Sequence, residues 1–399
     1  MNIVSYFFKD SKSYSKDSNL QSLVIDWLRF PLAVAVVFIH SFGSKELKLD
    51  SLHSNPLSLE SIYDFLRITL SNIGTHFAVP VFFLFSGFLF FYKIKEFNFS
   101  IYKQKLRKRF HSLFIPYICW ITIYVLHVEI RKVAGIIIKG KPISGIWEYI
   151  ADNGGIHLFW DSSVWALNYK NWLGWENPMT GPILVPLWFL RDLMVVVLLT
   201  PIIYYLIKKC KLLPIIILAI CYVSGVWLQI PGFTVTTFFW FSLGAFFSIN
   251  HKNMIETIFR WRMFSYIVCL CTLLPLIWFN GRKGDGMTTN VIAQSLYPFF
   301  VIAASGSVIS TAKVLVQKRI VRIYPHLARA SFFIFLSHVF VLGYVSKILD
   351  KCLPFDNFPI MMVKYLAVPV IAVLVCLVIY RILDRIFPNI LSLITGSRK

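Results

Sequence analysis

Acidic residues are scarce in this chain: 19 Asp and Glu stand against 40 Lys and Arg, and charges of both signs make up 15% of the 399 residues. So few charges exclude an ordinary soluble domain. Glycine-rich phosphate loops, metal-ligand clusters and serine-hydrolase elbows are missing too, so no metal is expected and nucleotide-cleaving and triad chemistries find no motif. The seven cysteines fall mostly inside apolar runs without paired or metal-ligand spacing, and Cys269 and Cys271 point to different helix faces; they read as structural. No repeat relates the two halves and no Gly/Pro-broken spans recur in matching positions, which weighs against a transporter built from repeats. The polar first 22 residues, and the absence of a small-residue cleavage site after the run that follows, speak against a removable signal peptide.

What the chain has instead is apolar surface: 57% hydrophobic residues, 17% aromatic residues and a mean hydropathy of +0.68. The composition predicts an all-α integral membrane protein. About ten spans are expected, near residues 23–42, 73–92, 110–130, 184–207, 212–229, 233–249, 263–280, 289–311, 328–346 and 361–383. Ile230-Pro231-Gly232 reads as a hairpin between the fifth and sixth spans, and Gly281-Arg282-Lys283-Gly284-Asp285-Gly286 as an outer turn. A cytoplasmic segment over 1–22, a membrane domain over 23–383 with a long outer loop at 131–183, and a short tail over 384–399 complete the expected organisation.

The net charge of +21 would suggest nucleic acid for a soluble domain, but the basic residues here sit between apolar runs, as loops on the inner face require. No nucleic-acid partner is expected. The densest cluster, Lys103, Lys105, Arg107, Lys108 and Arg109, follows the second span. Positive residues stay inside, so both termini are expected in the cytoplasm, with the protein in the inner (plasma) membrane.

The first span carries the clearest anomaly. Ile25 to His40 is apolar enough to enter a bilayer, yet holds Arg29 and His40. Eleven residues turn a helix through about 1,100°, roughly 20° past three full turns, and advance about 16 Å, so the two side chains share a face. A charge in hydrocarbon costs about 3 kcal/mol or more and normally turns toward a polar cavity. Read one at a time, Arg29 snorkels to the interface and His40 bonds a neighbouring helix. With the other spans placed, His40, His76, Arg191 and Asp192 form an outer group and Arg29, Ser86 and Arg109 an inner one. A connected polar route through the helices is expected.

These residues resemble a known family. Ile25 to His40 is similar to the opening motif of the bacterial membrane acyltransferases of family 3. Phe85-Ser86-Gly87-Phe88-Leu89 resembles the second-span signature, and Lys108-Arg109-Phe110-His111-Ser112-Leu113-Phe114-Ile115-Pro116-Tyr117 the basic lead into the third span. Pro186-Leu187-Trp188-Phe189-Leu190-Arg191-Asp192-Leu193 and Ser331-Phe332-Phe333-Ile334-Phe335-Leu336-Ser337-His338 resemble later elements. One departure is Ser112, where many members carry a second arginine, leaving Arg109 with Lys108 or His111 as helpers.

The resemblance implies a ten-helix core around a polar cavity, an acyl-CoA donor from the cytoplasm with acetyl-CoA favoured, and an outer glycan or lipid-linked saccharide as acceptor. Some members of that family also carry a soluble hydrolase-like domain; with about fifteen residues after the last expected span, none is expected here.

Histidine is half neutral near pH 6.5 and suits removal of a hydroxyl proton, so His40 is the expected base, with Arg29, three turns away on the same face, the second catalytic candidate and also a candidate for the donor phosphates. Arg109, Lys108 and Ser86 are expected at the donor, because arginine and lysine grip phosphate through charge-assisted bonds. Trp188, Asp192 and His338 are the expected acceptor contacts, with helix packing the plainer role for His338. Trp147, Trp160, Trp165, Trp172 and Trp175 offer either a sugar-stacking platform or an interfacial belt. A glycan transporter or flippase and a glycan polymerase remain the alternative classes.

Overall fold

In the computed structural model, residues 20–41, 55, 57–138, 155–170, 173, 176–280, 287–354 and 357–397 are described. In chain order the helices are α1 Leu20–Ile39, α2 Leu59–Arg67, α3 Ala78–Phe91, α4 Phe99–Arg109, α5 Ile115–Ile138, α6 Trp188–Leu198 and α7 Thr200–Cys210. After these come α8 Leu213–Ser224, α9 Val235–Ile249, α10 Met254–Arg260, α11 Arg262–Asn280, α12 Met287–Gln317, α13 Pro325–Cys352, α14 Phe358–Ile386 and α15 Pro388–Thr395. An antiparallel hairpin, β1 Ser162–Lys170 with β2 Glu176–Gly181, interrupts the helices between α5 and α6.

Seven helical stretches among the described residues are long and apolar enough to cross a membrane, and the bent pair α6–α7 makes an eighth. Each of the ten expected spans is helical, but α8 and α9 are shorter than a span. The count by length is therefore seven or eight, not ten. Between α8 and α9 the chain does break: Gly225 closes α8 in the left-handed region at φ 69°. The bend of 60° between α6 and α7 falls beside Pro201, whose missing N–H cannot continue the ladder. The turn expected at Gly281–Gly286 lies outside the described residues, as do Trp147, Trp172 and Trp175.

α1 is the centre of the bundle, packed against α13, α12, α3 and α14. Its Gln21 carboxamide oxygen accepts from the amides of Met254 at 2.8 Å and Ile255 at 3.3 Å, which pins its first turn to the start of α10. At the far end, the Ser71 hydroxyl donates to the Ser41 carbonyl at 3.0 Å and meets the Tyr365 hydroxyl at 2.6 Å. Both ends of α1 are thus tied to other helices.

α3 and α9 approach backbone to backbone. A Cβ at Gly87 would overlap the Phe241 carbonyl oxygen, and one at Gly244 would overlap the Leu84 carbonyl oxygen. Small residues let membrane helices close on each other in this way. Ser86 is carried into the protein by that contact. α15, within the expected tail, is docked rather than free: the Trp120 indole donates to the Ile394 carbonyl at 2.9 Å.

Candidate active site

Two cavities lie along α13, one on each half of it. The first, of about 600 Å³, is lined by Arg29 of α1, Ser86 of α3, Arg109 at the end of α4, and Arg329, Ser331 and Phe335 of α13. Three guanidinium groups face it, and among the described residues no carboxylate lines it. Asp26 lies 3.2 Å from Arg29 on the same helix, and Arg329 lies 2.8 Å from the His326 ring. The remaining charge makes this a cavity for an anion. Ser112, where the family often has arginine, also lines it, as does Ser397 beyond α15.

The arginine brought in by α13 was not foreseen. Arg329 stands at the start of an apolar run, where a flanking charge is ordinary. Lys108, expected as a helper to Arg109, is exposed and lines neither cavity, and His111 is exposed as well. The reason is helical geometry, since neighbours on a helix point about 100° apart.

The second cavity, of about 390 Å³, is lined by His40, Ser41, Tyr63, Ser346, Asp350, Lys364 and Tyr365, with apolar side chains between them. Lys364 and Asp350 form an ion pair across it at 3.3 Å. Lys364 was missed although a lysine inside an apolar run is a signal in itself. Tyr63 and Tyr365 meet edge to face at 6.2 Å between ring centres. Hydroxyl, carboxylate, ammonium and aromatic groups together suit a polyhydroxylated ligand.

His338 stands between the two cavities. Phe335 lines the first and Val339 the second, one helical turn apart on the same face of α13, about 6 Å along the axis. The His338 ring, fully buried, has its centre 5.1 Å from that of His40. Arg29 and His40 thus line two different cavities, which share no lining residue. Phe335, in the lining of the first, packs edge to face on Phe189 at 5.4 Å.

Asp192 and Trp188 lie elsewhere. The Asp192 carboxylate accepts from Arg191 Nε at 2.9 Å and from the Thr234 hydroxyl at 2.6 Å. Arg191 donates further to the Trp160 and Thr180 carbonyls, at 2.6 and 3.0 Å. Both members of the pair are buried, and they staple the β-hairpin region to α6. Trp188 packs on Phe83 at 6.0 Å between ring centres, and neither it nor Asp192 lines the two cavities. Trp160 stacks under Arg191 at 5.7 Å. His76 of the expected outer group bonds the Tyr297 hydroxyl through Nδ1.

Comparison with known proteins decides the class. Residues 23–381 match the acyltransferase domain family. The chain belongs to membrane acyltransferase family 3. This acyltransferase is 22% identical over 390 residues to the succinoglycan biosynthesis protein ExoH of Rhizobium meliloti (strain 1021), a match covering 96% of the chain and 94% of that relative. No solved structure matches the chain. Family membership removes the transporter and polymerase alternatives and leaves an acyltransferase of the membrane.

Proposed function

We propose that the protein is an O-acyltransferase that moves an acyl group, with acetyl favoured, from acyl-CoA to a hydroxyl of an extracytoplasmic or lipid-linked glycan. The observation that carries the donor assignment is the cavity lined by Arg29, Arg109 and Arg329 with no carboxylate among its described lining. Coenzyme A bears several phosphates, and guanidinium groups bind phosphate by paired, charge-assisted hydrogen bonds. A glycan acceptor is supported by the polar and aromatic lining of the second cavity and by the name of the relative ExoH.

In this reading His40 takes the proton of the acceptor hydroxyl as its oxygen attacks the thioester carbonyl. The C–S bond breaks, the thiolate of coenzyme A leaves and collects a proton, and an ester remains on the sugar. The sidedness follows the charge pattern: both termini and the arginine cavity in the cytoplasm, the His40 cavity toward the outside of the plasma membrane.

His40 lines a cavity that shares no residue with the arginine cavity, which favours a second reading, in which the His40 imidazole itself attacks the thioester and carries the acyl group to the sugar. Rapid-quench labelling with radioactive acetyl-CoA and no acceptor separates the two. Labelled protein supports the relay, and its absence in an enzyme that transfers supports direct attack. For the function as a whole, purified protein in nanodiscs should bind acetyl-CoA and hydrolyse it slowly; failure to do either contradicts the proposal.

A further inference from the structure

His338 has a fixed tautomer. Its Nδ1 lies 2.7 Å from the Phe335 carbonyl oxygen and 3.2 Å from that of Ile334. A carbonyl oxygen only accepts, so Nδ1 must carry the hydrogen. In the neutral ring the other nitrogen, Nε2, is then a lone-pair acceptor. That atom is buried and has no hydrogen-bond partner among the described residues. Buried acceptors are almost always paired, so an unpaired one beside a titratable ring points to a partner that arrives during function.

The nearest candidate is His40. Their ring centres are 5.1 Å apart and the planes are tilted by 43°. A ring nitrogen sits about 1.1 Å from its ring centre, so an N–H···N bond of about 2.9 Å needs centres about 5.1 Å apart. The separation is already right, and a rotation of one ring supplies the alignment. Hydrogen bonds of catalytic groups often tighten only when substrate is bound.

We propose that His338 is a positioning residue whose Nε2 accepts a hydrogen bond from His40, so that the second His40 nitrogen presents its lone pair to the acceptor hydroxyl. The inference rests on the reading of His40 as the base and deepens it. His338 enters this pairing as a neutral ring. It holds His40 in one tautomer and shares the positive charge that develops as His40 takes the proton, the task a carboxylate performs in other histidine-based sites. Its place between Phe335 and Val339 also explains why a polar ring stands in an otherwise apolar stretch of α13.

Selective nitrogen-15 labelling of histidine and solid-state NMR in nanodiscs test the pairing without any activity measurement, on wild type and on His338→Leu and His338→Gln. The wild type should show His338 protonated at Nδ1, His40 in a single tautomer, and a nitrogen–nitrogen coupling between the two rings. His338→Leu should leave His40 in a mixture of tautomers and lower kcat about 10–100-fold with the KM for acetyl-CoA unchanged, whereas His338→Gln, which keeps an acceptor, should recover most of the rate. His338 protonated at Nε2, no coupling in the wild type, or an unchanged His40 tautomer in His338→Leu would overturn the proposal. A wild type that shows the coupling but transfers no acyl group would instead count against the function proposed above while leaving the pairing intact.

Discussion

Arg29, on α1, and His40, in the turn that directly follows it, line two different cavities, the first against residues 328–335 of α13 and the second against residues 339–350. Arg29 shares its cavity with two other arginines, and His40 shares the hydroxyl-rich one with Tyr63 and Tyr365.

The donor cavity makes a graded prediction. Arg109→Ala and Arg329→Ala each remove a charged hydrogen-bond donor, a loss of about 1.5–3 kcal/mol, so each should raise the Kd of acetyl-CoA roughly 10–100-fold. Lys108→Ala, at an exposed position outside both cavities, should change it less than about threefold, a surface contact being worth about 0–1 kcal/mol. Binding measured by calorimetry in nanodiscs checks the order; Lys108 outranking Arg329 would refute the assignment.

Acceptor recognition should sit with Asp350 and Lys364. Asp350→Asn is expected to raise the KM for the glycan about tenfold, the scale of one hydrogen bond to a charged group, without altering the Kd of acetyl-CoA. Initial rates at varied acceptor concentration test this.

Asp192, by contrast, should act on stability. Removing its carboxylate leaves the buried Arg191 guanidinium without its counter-charge, which costs about 3–5 kcal/mol. Asp192→Ala should lower the thermal midpoint sharply and deplete folded protein, while any fraction that folds keeps a near-normal KM for donor.

A methyl group at Gly87 should be poorly tolerated as well. It would overlap the Phe241 carbonyl and force α3 from α9, and overpacking of this kind costs about 1–3 kcal/mol. Thermal unfolding of Gly87→Ala checks the expected fall.

The sequence carried the helical class and the composition of the donor cavity far, because charge in an apolar run has to be sheltered. Arg29, Ser86 and Arg109, on three separate helices, do line one cavity. What it did not carry were choices set by packing. Asp192, expected at the acceptor, is held by Arg191 and by Thr234 just ahead of α9, and Lys108, expected as a helper to Arg109, is faced outward by the turn of α4. Tyr63 and Asp350 carry no local signal, since their meeting depends on α2 and α13 coming together around His40. Arg29 and His40, expected along one route, line two cavities with no residue in common, a division that depends on how α13 packs against α1 and that no spacing in the sequence displays.

Transfer of labelled acetyl from acetyl-CoA to the surface glycan, measured for purified wild type and His40→Ala together with acetyl-CoA binding, tests the account most directly. General-base loss predicts a drop of about 10²–10⁴-fold in transfer for His40→Ala, with folded protein and donor affinity retained. Transfer by His40→Ala at the wild-type rate, or a wild type that does not bind acetyl-CoA, would contradict it.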